Sequence, residues 1–215
     1  MSLSPLFTLF LFLSLNPHSH SFPFTASAAS EDVKITYGSV VKLMHEKTKF
    51  RLHSHELPYG SGSGQQSVTG FPTGDDANSY WVVRPEVGAS AKQGDAIVSN
   101  TIIRLQHMTT RKWLHSHTFE SPLSGNQEVS CFGKESESDK GDHWRLLVEG
   151  TRKTWRKDQR VRLQHEVTGV YLHSHKKYYG MGQQEVCGVL DKHSDNVWTA
   201  AEGVYLPVID TKHDA

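Results

Sequence analysis

The tetrapeptide Leu-His-Ser-His occurs at residues 52–55, 114–117 and 172–175, at intervals of about 60 residues. Three further landmarks accompany it in the same order each time. A β-alternating segment ending in His comes first: Val41-Lys42-Leu43-Met44-His45, Ile103-Arg104-Leu105-Gln106-His107 and Val161-Arg162-Leu163-Gln164-His165. A Gln-x-Val segment follows the tetrapeptide, beginning at Gln66, Gln127 and Gln184. A polar loop holding Asp76, Asp142 or Asp195 then leads into Trp81, Trp144 or Trp198. A repeat this regular confines the chain to an architecture that uses one unit three times.

The unit is a β unit. In each His-terminated segment, the alternate residues, such as Val161, Leu163 and His165, share one strand face. A four-residue turn follows, and the tetrapeptide then reads as a second strand. A Gly/Ser/Pro-rich loop (residues 58–64 in the first copy), the Gln-x-Val strand and the Trp strand complete the copy. No convincing amphipathic helix is visible. Four strands in three copies give about twelve, and one copy of about 60 residues could hardly bury its own apolar face. Propellers usually need at least four blades. The pattern predicts an all-β fold, a β-trefoil with pseudo-threefold symmetry. The approximate repeats are 36–83, 95–147 and 155–200, within a single domain over 30–210 and ahead of a short tail over 211–215. The chain from Glu202 onward is placed to close against the first strand.

The repeated histidines invite metal, catalytic and pH-sensing readings. Each His-x-His pair (His53/His55, His115/His117, His173/His175) puts two imidazoles on one strand face, while a closed zinc site needs about four ligands. Neither cysteine falls inside a pair, so no metal is assigned. His45, His107 and His165 and the three pairs read instead as structural groups that satisfy strand ends and turns, with the pairs outside the core at the hairpin. Ser54, Ser116 and Ser174 alternate away from their neighbouring imidazoles, and no glycine-framed nucleophile elbow is present, so no catalytic residue and no cofactor is assigned. Imidazole titrates near pH 6.5, but nothing marks which of the 14 histidines is perturbed. Gln66, Gln127 and Gln184 read as hairpin-ordering groups, and Trp81, Trp144 and Trp198 as barrel plugs. The Gln-x-Trp signature of ricin-type lectins is absent, because Val stands two residues after each Gln.

Lys plus Arg and Asp plus Glu are equal at 23 each, so nucleic acid and anionic membranes are not expected partners. Residues 1–29 have the layout of a cleaved secretory signal peptide: no charged side chain, an apolar run over 6–15 and small residues over 26–29. No other stretch is apolar enough to span a membrane. The compartment permits disulfides. Cys131 and Cys187, however, sit at opposite strand parity in the repeat alignment, which favours two free thiols over a bridge. Where the copies differ, two charged loops stand out as docking candidates. One is acidic, with Glu135, Glu137 and Asp139. The other is basic, with Arg152, Lys153, Arg156 and Lys157.

The His-terminated strand, Leu-His-Ser-His, Gln-x-Val and Trp together resemble the MIR repeat of protein O-mannosyltransferases and of inositol-trisphosphate and ryanodine receptors. Three copies behind a leader, with residues 59–70 and 121–130 in particular, resemble the stromal cell-derived factor 2-like family. The resemblance covers nearly the whole mature chain. It implies a trefoil of three MIR repeats resident in the endoplasmic reticulum lumen. It also implies work with a lumenal J-domain co-chaperone and BiP in protein quality control, on unfolded or glycosylated client proteins. The C-terminus, Lys212-His213-Asp214-Ala215, differs from the Lys/His-Asp-Glu-Leu type of retrieval sequence. Retention through a partner is the expectation that follows.

Overall fold

A computed structural model describes residues 32–209; the expected leader and the 211–215 tail lie outside them. Twelve strands form, four per repeat. The first repeat holds β1 (Val40–His45), β2 (Arg51–Pro58), β3 (Gln66–Phe71) and β4 (Trp81–Pro85). The second holds β5 (Ile102–His107), β6 (Trp113–Glu120), β7 (Gln127–Phe132) and β8 (Trp144–Val148). The third holds β9 (Arg160–His165), β10 (Tyr171–Tyr178), β11 (Gln184–Val189) and β12 (Trp198–Val204). The only helical pieces among the described residues are short 3-10 turns, one of which precedes each Trp strand. None is long and apolar enough to cross a membrane.

The pairings separate into two rings. The outer strands of each repeat close a six-stranded barrel in the order β1, β4, β5, β8, β9, β12 and back to β1. The inner strands make three hairpins, β2–β3, β6–β7 and β10–β11. The third strands of the repeats pair with one another around the axis: β3 with β7, β7 with β11 and β11 with β3. A barrel closed on itself and capped by three hairpins is a β-trefoil. Closure removes the exposed edges that an open sheet of these short strands would present. As anticipated, Glu202 lies against the first strand, opposite Lys42.

The barrel is plugged by one tryptophan from each repeat. Trp81, Trp144 and Trp198 are fully buried, packed with Leu43, Leu105 and Leu163 and with the tetrapeptide leucines Leu52, Leu114 and Leu172. Each indole N–H donates to the carbonyl of its own repeat's tetrapeptide leucine: Trp81 to Leu52 at 2.8 Å, Trp144 to Leu114 at 2.9 Å and Trp198 to Leu172 at 3.0 Å. Barrel and cap are thereby joined inside every repeat. A buried indole needs a partner for its N–H, and here that partner is a strand carbonyl at the barrel–hairpin junction.

The turns after β1, β5 and β9 show one local departure between copies. Lys49 and Arg111 adopt left-handed φ values of 63° and 61°, where the third repeat has Gly169 at 76°. A side chain there costs about 1–2 kcal/mol of backbone strain, against about 0.5–1 kcal/mol that glycine costs through unfolded-state entropy. Lys49 is exposed, and its carbonyl, which accepts from Arg51, survives substitution. Lys49→Gly is expected to stabilise the fold by a few tenths to about 1 kcal/mol, read as a raised urea midpoint at constant m. A lowered midpoint would contradict the shared turn geometry.

Candidate functional site

The histidines that end β1, β5 and β9 sit at the seams between repeats. His45, His107 and His165 pair in register with Trp198, Trp81 and Trp144 of the preceding repeat, at ring separations of 5.1, 5.0 and 5.0 Å. The Nε2 of each meets a carbonyl in the loop of that same preceding repeat. His45 reaches Asp195 at 3.1 Å, His107 reaches Asn78 at 2.9 Å and His165 reaches Gly141 at 2.9 Å. A carbonyl only accepts, so Nε2 carries the proton. Nδ1 then accepts from the backbone N–H of Thr48, Thr110 or Thr168, three residues on, at 3.3, 3.3 and 3.4 Å. Both ring nitrogens are used in the neutral state, and burial lowers the pKa of all three.

The tetrapeptides differ from the sequence expectation in one respect. The paired histidines were placed outside the core, but the first of each pair is buried: His53, His115 and His173. The polar loop before the Trp strand folds over it, which a pattern of strand parity does not anticipate. In the first two repeats this loop supplies a carboxylate, with His53 Nδ1 at 2.6 Å from Asp76 and His115 Nδ1 at 2.8 Å from Asp142. Burial lowers His53 despite Asp76. Burial raises Asp76, but hydrogen bonds from Ser79 and His53 outweigh this and hold its carboxyl below the usual range. Ser54, Ser116 and Ser174 donate to strand carbonyls at 2.7–2.8 Å, of Ser67, Glu128 and Glu185. None is within reach of an imidazole base, and each hydroxyl is committed to the sheet.

Two further sets of cap contacts run from one repeat to the next. Gln66 Nε2 donates to Ser54 and to Thr110 of the second repeat, and Gln127 Nε2 to Ser116 and to Thr168 of the third. Gln184 breaks the series and donates to Tyr178 at 3.2 Å. The second set was not anticipated from sequence. Glu128 and Glu185, both 0 % exposed, clamp the preceding repeat's Gly/Ser loop. Glu128 accepts from Ser63 N–H (3.2 Å), Ser63 Oγ and His117. Glu185 accepts from Ser124 N–H (3.0 Å), Ser121 Oγ and His175. The first repeat has Ser67 at this position, bonded to Leu57 O. The seam between the third and first repeats therefore lacks both contacts, leaving a cleft of about 420 Å³ lined by His55, Leu57, Tyr59, Tyr179 and Met181. The Gln-Ser-Val against Gln-Glu-Val difference was the available sequence signal.

The third repeat differs again around His173. Asn196 replaces the carboxylate, with its side-chain amide 3.3 Å from Nδ1. His173 Nε2 lies 3.3 Å from His175 Nδ1, and His193 packs edge-on to His173. Burial, with His175 and His193 nearby, lowers His173 to about 3. Cys187 stands directly opposite His173 in the β10–β11 register, although the sequence reading kept both cysteines apart from the His pairs. Cys131 stands opposite Leu114 instead. Both are buried free thiols, and no bridge joins them.

The charged loops are separate features. Glu135 pairs with Arg111, Glu137 with Lys134 at 3.8 Å, and Asp139 caps the 3-10 turn before β8. In the basic loop Arg156 is mostly buried against Asp32, Arg152 also approaches Asp32 at 3.9 Å, and Lys157 meets Asp158 at 3.3 Å. Lys153 donates to Gly150 O and stays exposed. Among the described residues no ion pair joins the two loops. Arg152 and Lys153 remain the outward cations, and Arg156 is largely a structural anchor.

Residues 50–201 match the family described as the MIR domain. A stromal cell-derived factor 2-like protein of Arabidopsis thaliana is 66% identical over 186 residues, covering 85% of each chain. The crystal structure of the SDF2-like protein from Arabidopsis thaliana superposes with a TM-score of 0.82 at 67% identity, covering 83% of this chain and 100% of that one. The Saccharomyces cerevisiae protein O-mannosyltransferase Pmt1-Pmt2 complex bound to the sugar donor gives a TM-score of 0.73 at 30% identity. That match covers 83% of this chain and 26% of that one.

His45, His53, His107, His117, His165 and His173 all have folded pKa values below the ordinary histidine value, with burial as the largest cause. The unfolded chain takes up these protons near pH 6.5 and the folded chain only at lower pH. Stability is therefore full above about pH 6.5 and falls as the pH drops toward the folded values. His173 alone predicts a loss of about 2 kcal/mol between pH 7.5 and 5, with the other five adding to it. Urea unfolding at the two pH values measures this; equal stability would contradict the buried neutral assignment.

Proposed function

The chain belongs to the stromal cell-derived factor 2-like family of MIR-domain proteins, and on that premise we propose that it acts as a non-catalytic adaptor in an endoplasmic-reticulum chaperone complex. Its partners in this reading are a lumenal J-domain co-chaperone and BiP, and its work is protein folding quality control. The signal-peptide layout of residues 1–29 supports entry into that compartment. Retention follows from binding the co-chaperone.

The observation that carries the adaptor reading is the commitment of the tetrapeptide serines and the seam histidines to the scaffold. The tetrapeptide serines bond strand carbonyls, and the seam histidines are saturated in their neutral form. A rigid closed barrel then offers its partners the features that differ between copies. These are the acidic loop with Glu135 and Glu137, the outward cations Arg152 and Lys153, and the apolar seam where Leu57 and Met181 are exposed. Charged loops steer and orient a partner, and the apolar seam suits an unfolded client segment.

A second reading, binding of O-mannosylated or other glycosylated clients, is favoured by the likeness to the O-mannosyltransferase complex bound to its sugar donor. In that case free mannosides compete with client binding, which the adaptor reading does not require.

Reversing Arg152 and Lys153 together with Glu135 and Glu137 is expected to weaken co-purification with the J-domain partner by about tenfold or more at physiological salt, mainly through slower association. Arg156 is left unchanged because it anchors Asp32. Unchanged binding would remove these loops from the interface. Release of the partner by free sugar would replace the adaptor reading with the lectin one.

A further inference from the structure

The third repeat brings together two imidazoles and a thiol that the other two do not. His173 and His175 alternate onto one face of β10, and the register sets Cys187 of β11 opposite His173, on the same face. Their ligand atoms lie within 4.8 Å of one another. At the equivalent cross-strand position the first repeat has Thr69, opposite His53, and the second has Ser130, opposite His115. Those hydroxyls are bonded to Gln183 and Gln65. In the same two repeats the first histidine is held by Asp76 or Asp142, whereas in the third that carboxylate is replaced by Asn196. Substitutions on one strand and one loop thus convert a structural histidine pair into a convergent set of nitrogen and sulfur donors.

The geometry points to a zinc-binding site at His173 Nε2, His175 Nδ1 and Cys187 Sγ. Zinc bound at about 2.0–2.1 Å to two nitrogens at a tetrahedral angle holds them about 3.3 Å apart. The two ring nitrogens stand at 3.3 Å. The surrounding groups are those that support such a set. His175 turns its other nitrogen to the fully buried Glu185 carboxylate, the arrangement that orients a ligating imidazole and raises its basicity. The Asn126 side-chain amide donates to Cys187 Sγ at 3.4 Å, which favours a thiolate. Both imidazoles line a cleft of about 640 Å³ that also holds His193, Asp191 and Asp195, so a fourth position is reachable by solvent or a ligand. Imidazole and thiolate select zinc over calcium or magnesium, which prefer oxygen.

The proton accounting is simple. Burial holds the Cys187 thiol up at about 12, so it is protonated without metal. Zinc displaces that proton to solvent and forms the Zn–S bond. The His173 proton moves from Nε2 to Nδ1, where it meets an acceptor once the Asn196 amide turns over and gives up the bond that its oxygen accepts from the His193 N–H. One proton is released per ion bound, so affinity rises with pH.

The metal-stripped full chain, titrated with zinc chloride and separately with cobalt(II), tests this. The expected result is one ion per chain by native mass spectrometry, a raised Tm with zinc, and a thiolate-to-cobalt charge-transfer band. Cys187→Ser, which installs the residue type of Ser130, is expected to remove the band. It should also weaken zinc by more than the roughly 10–100-fold that outer-shell changes cost. Cys131→Ser is expected to change neither. No binding at stoichiometric zinc, cobalt bound without the sulfur band, or zinc affinity unchanged in Cys187→Ser would each overturn the site. The sulfur band of the unsubstituted protein decides the matter even if a variant folds poorly. The result is independent of the adaptor reading, since partner binding is not measured.

Discussion

The hydrogen bond from each buried tryptophan to its repeat's tetrapeptide leucine is the contact on which the rest of the molecule depends. Three indoles form the centre of the core of this six-stranded barrel, shared with Leu43, Leu105 and Leu163 of its strands. An indole fills the barrel only if its N–H is satisfied, and the leucine carbonyl does that at the point where strand passes from barrel to hairpin. The same tryptophan then offers its ring to the seam histidine of the following repeat. That histidine ties the following repeat's turn to the preceding repeat's loop. Burial within one repeat is thus coupled to closure between repeats.

The barrel seams close all the way round, while the hairpin cap does not. The Gln-to-Thr bond and the buried-Glu clamp both run from the first repeat to the second and from the second to the third, then stop. At the remaining seam Gln184 turns to Tyr178, and Ser67 stands where a glutamate would reach across. A buried carboxylate needs several donors to offset its desolvation, so the clamp exists only where a Ser-bearing loop faces it. The third repeat's loop carries Gly180, Met181 and Gly182 instead. Loss of symmetry and exposure of apolar surface therefore occur at the same place.

Much of this was legible in the sequence. The periodicity of Val161, Leu163 and His165 assigned the strands, and four landmarks in three copies led to the trefoil. Trp81, Trp144 and Trp198 lie in the core, and Gln66 and Gln127 bond across the cap, whereas Gln184 turns to Tyr178. What strand parity missed came from loops and cross-strand register. His53, His115 and His173 are buried by the loop that carries Asp76, Asp142 or Asn196, a contact separated by 23–27 residues. Cys187 meets His173 only through the hairpin register, which the variable length of the intervening loop hides. Arg156 reads as an exposed cation in a basic run and is instead turned inward to Asp32.

The central claim is that the seam histidines His45, His107 and His165 are neutral and doubly bonded, leaving function to the places where the copies differ. Long-range 15N–1H NMR correlation of the imidazoles between pH 7.5 and 5 tests it most directly. His45, His107 and His165 are predicted to appear as the neutral Nε2–H tautomer at pH 7.5, with Nδ1 unprotonated and hydrogen-bonded, and to take up a proton only at a pH below the ordinary histidine value. Titration of any of them near pH 6.5, or an Nδ1–H signal at pH 7.5, would contradict the account.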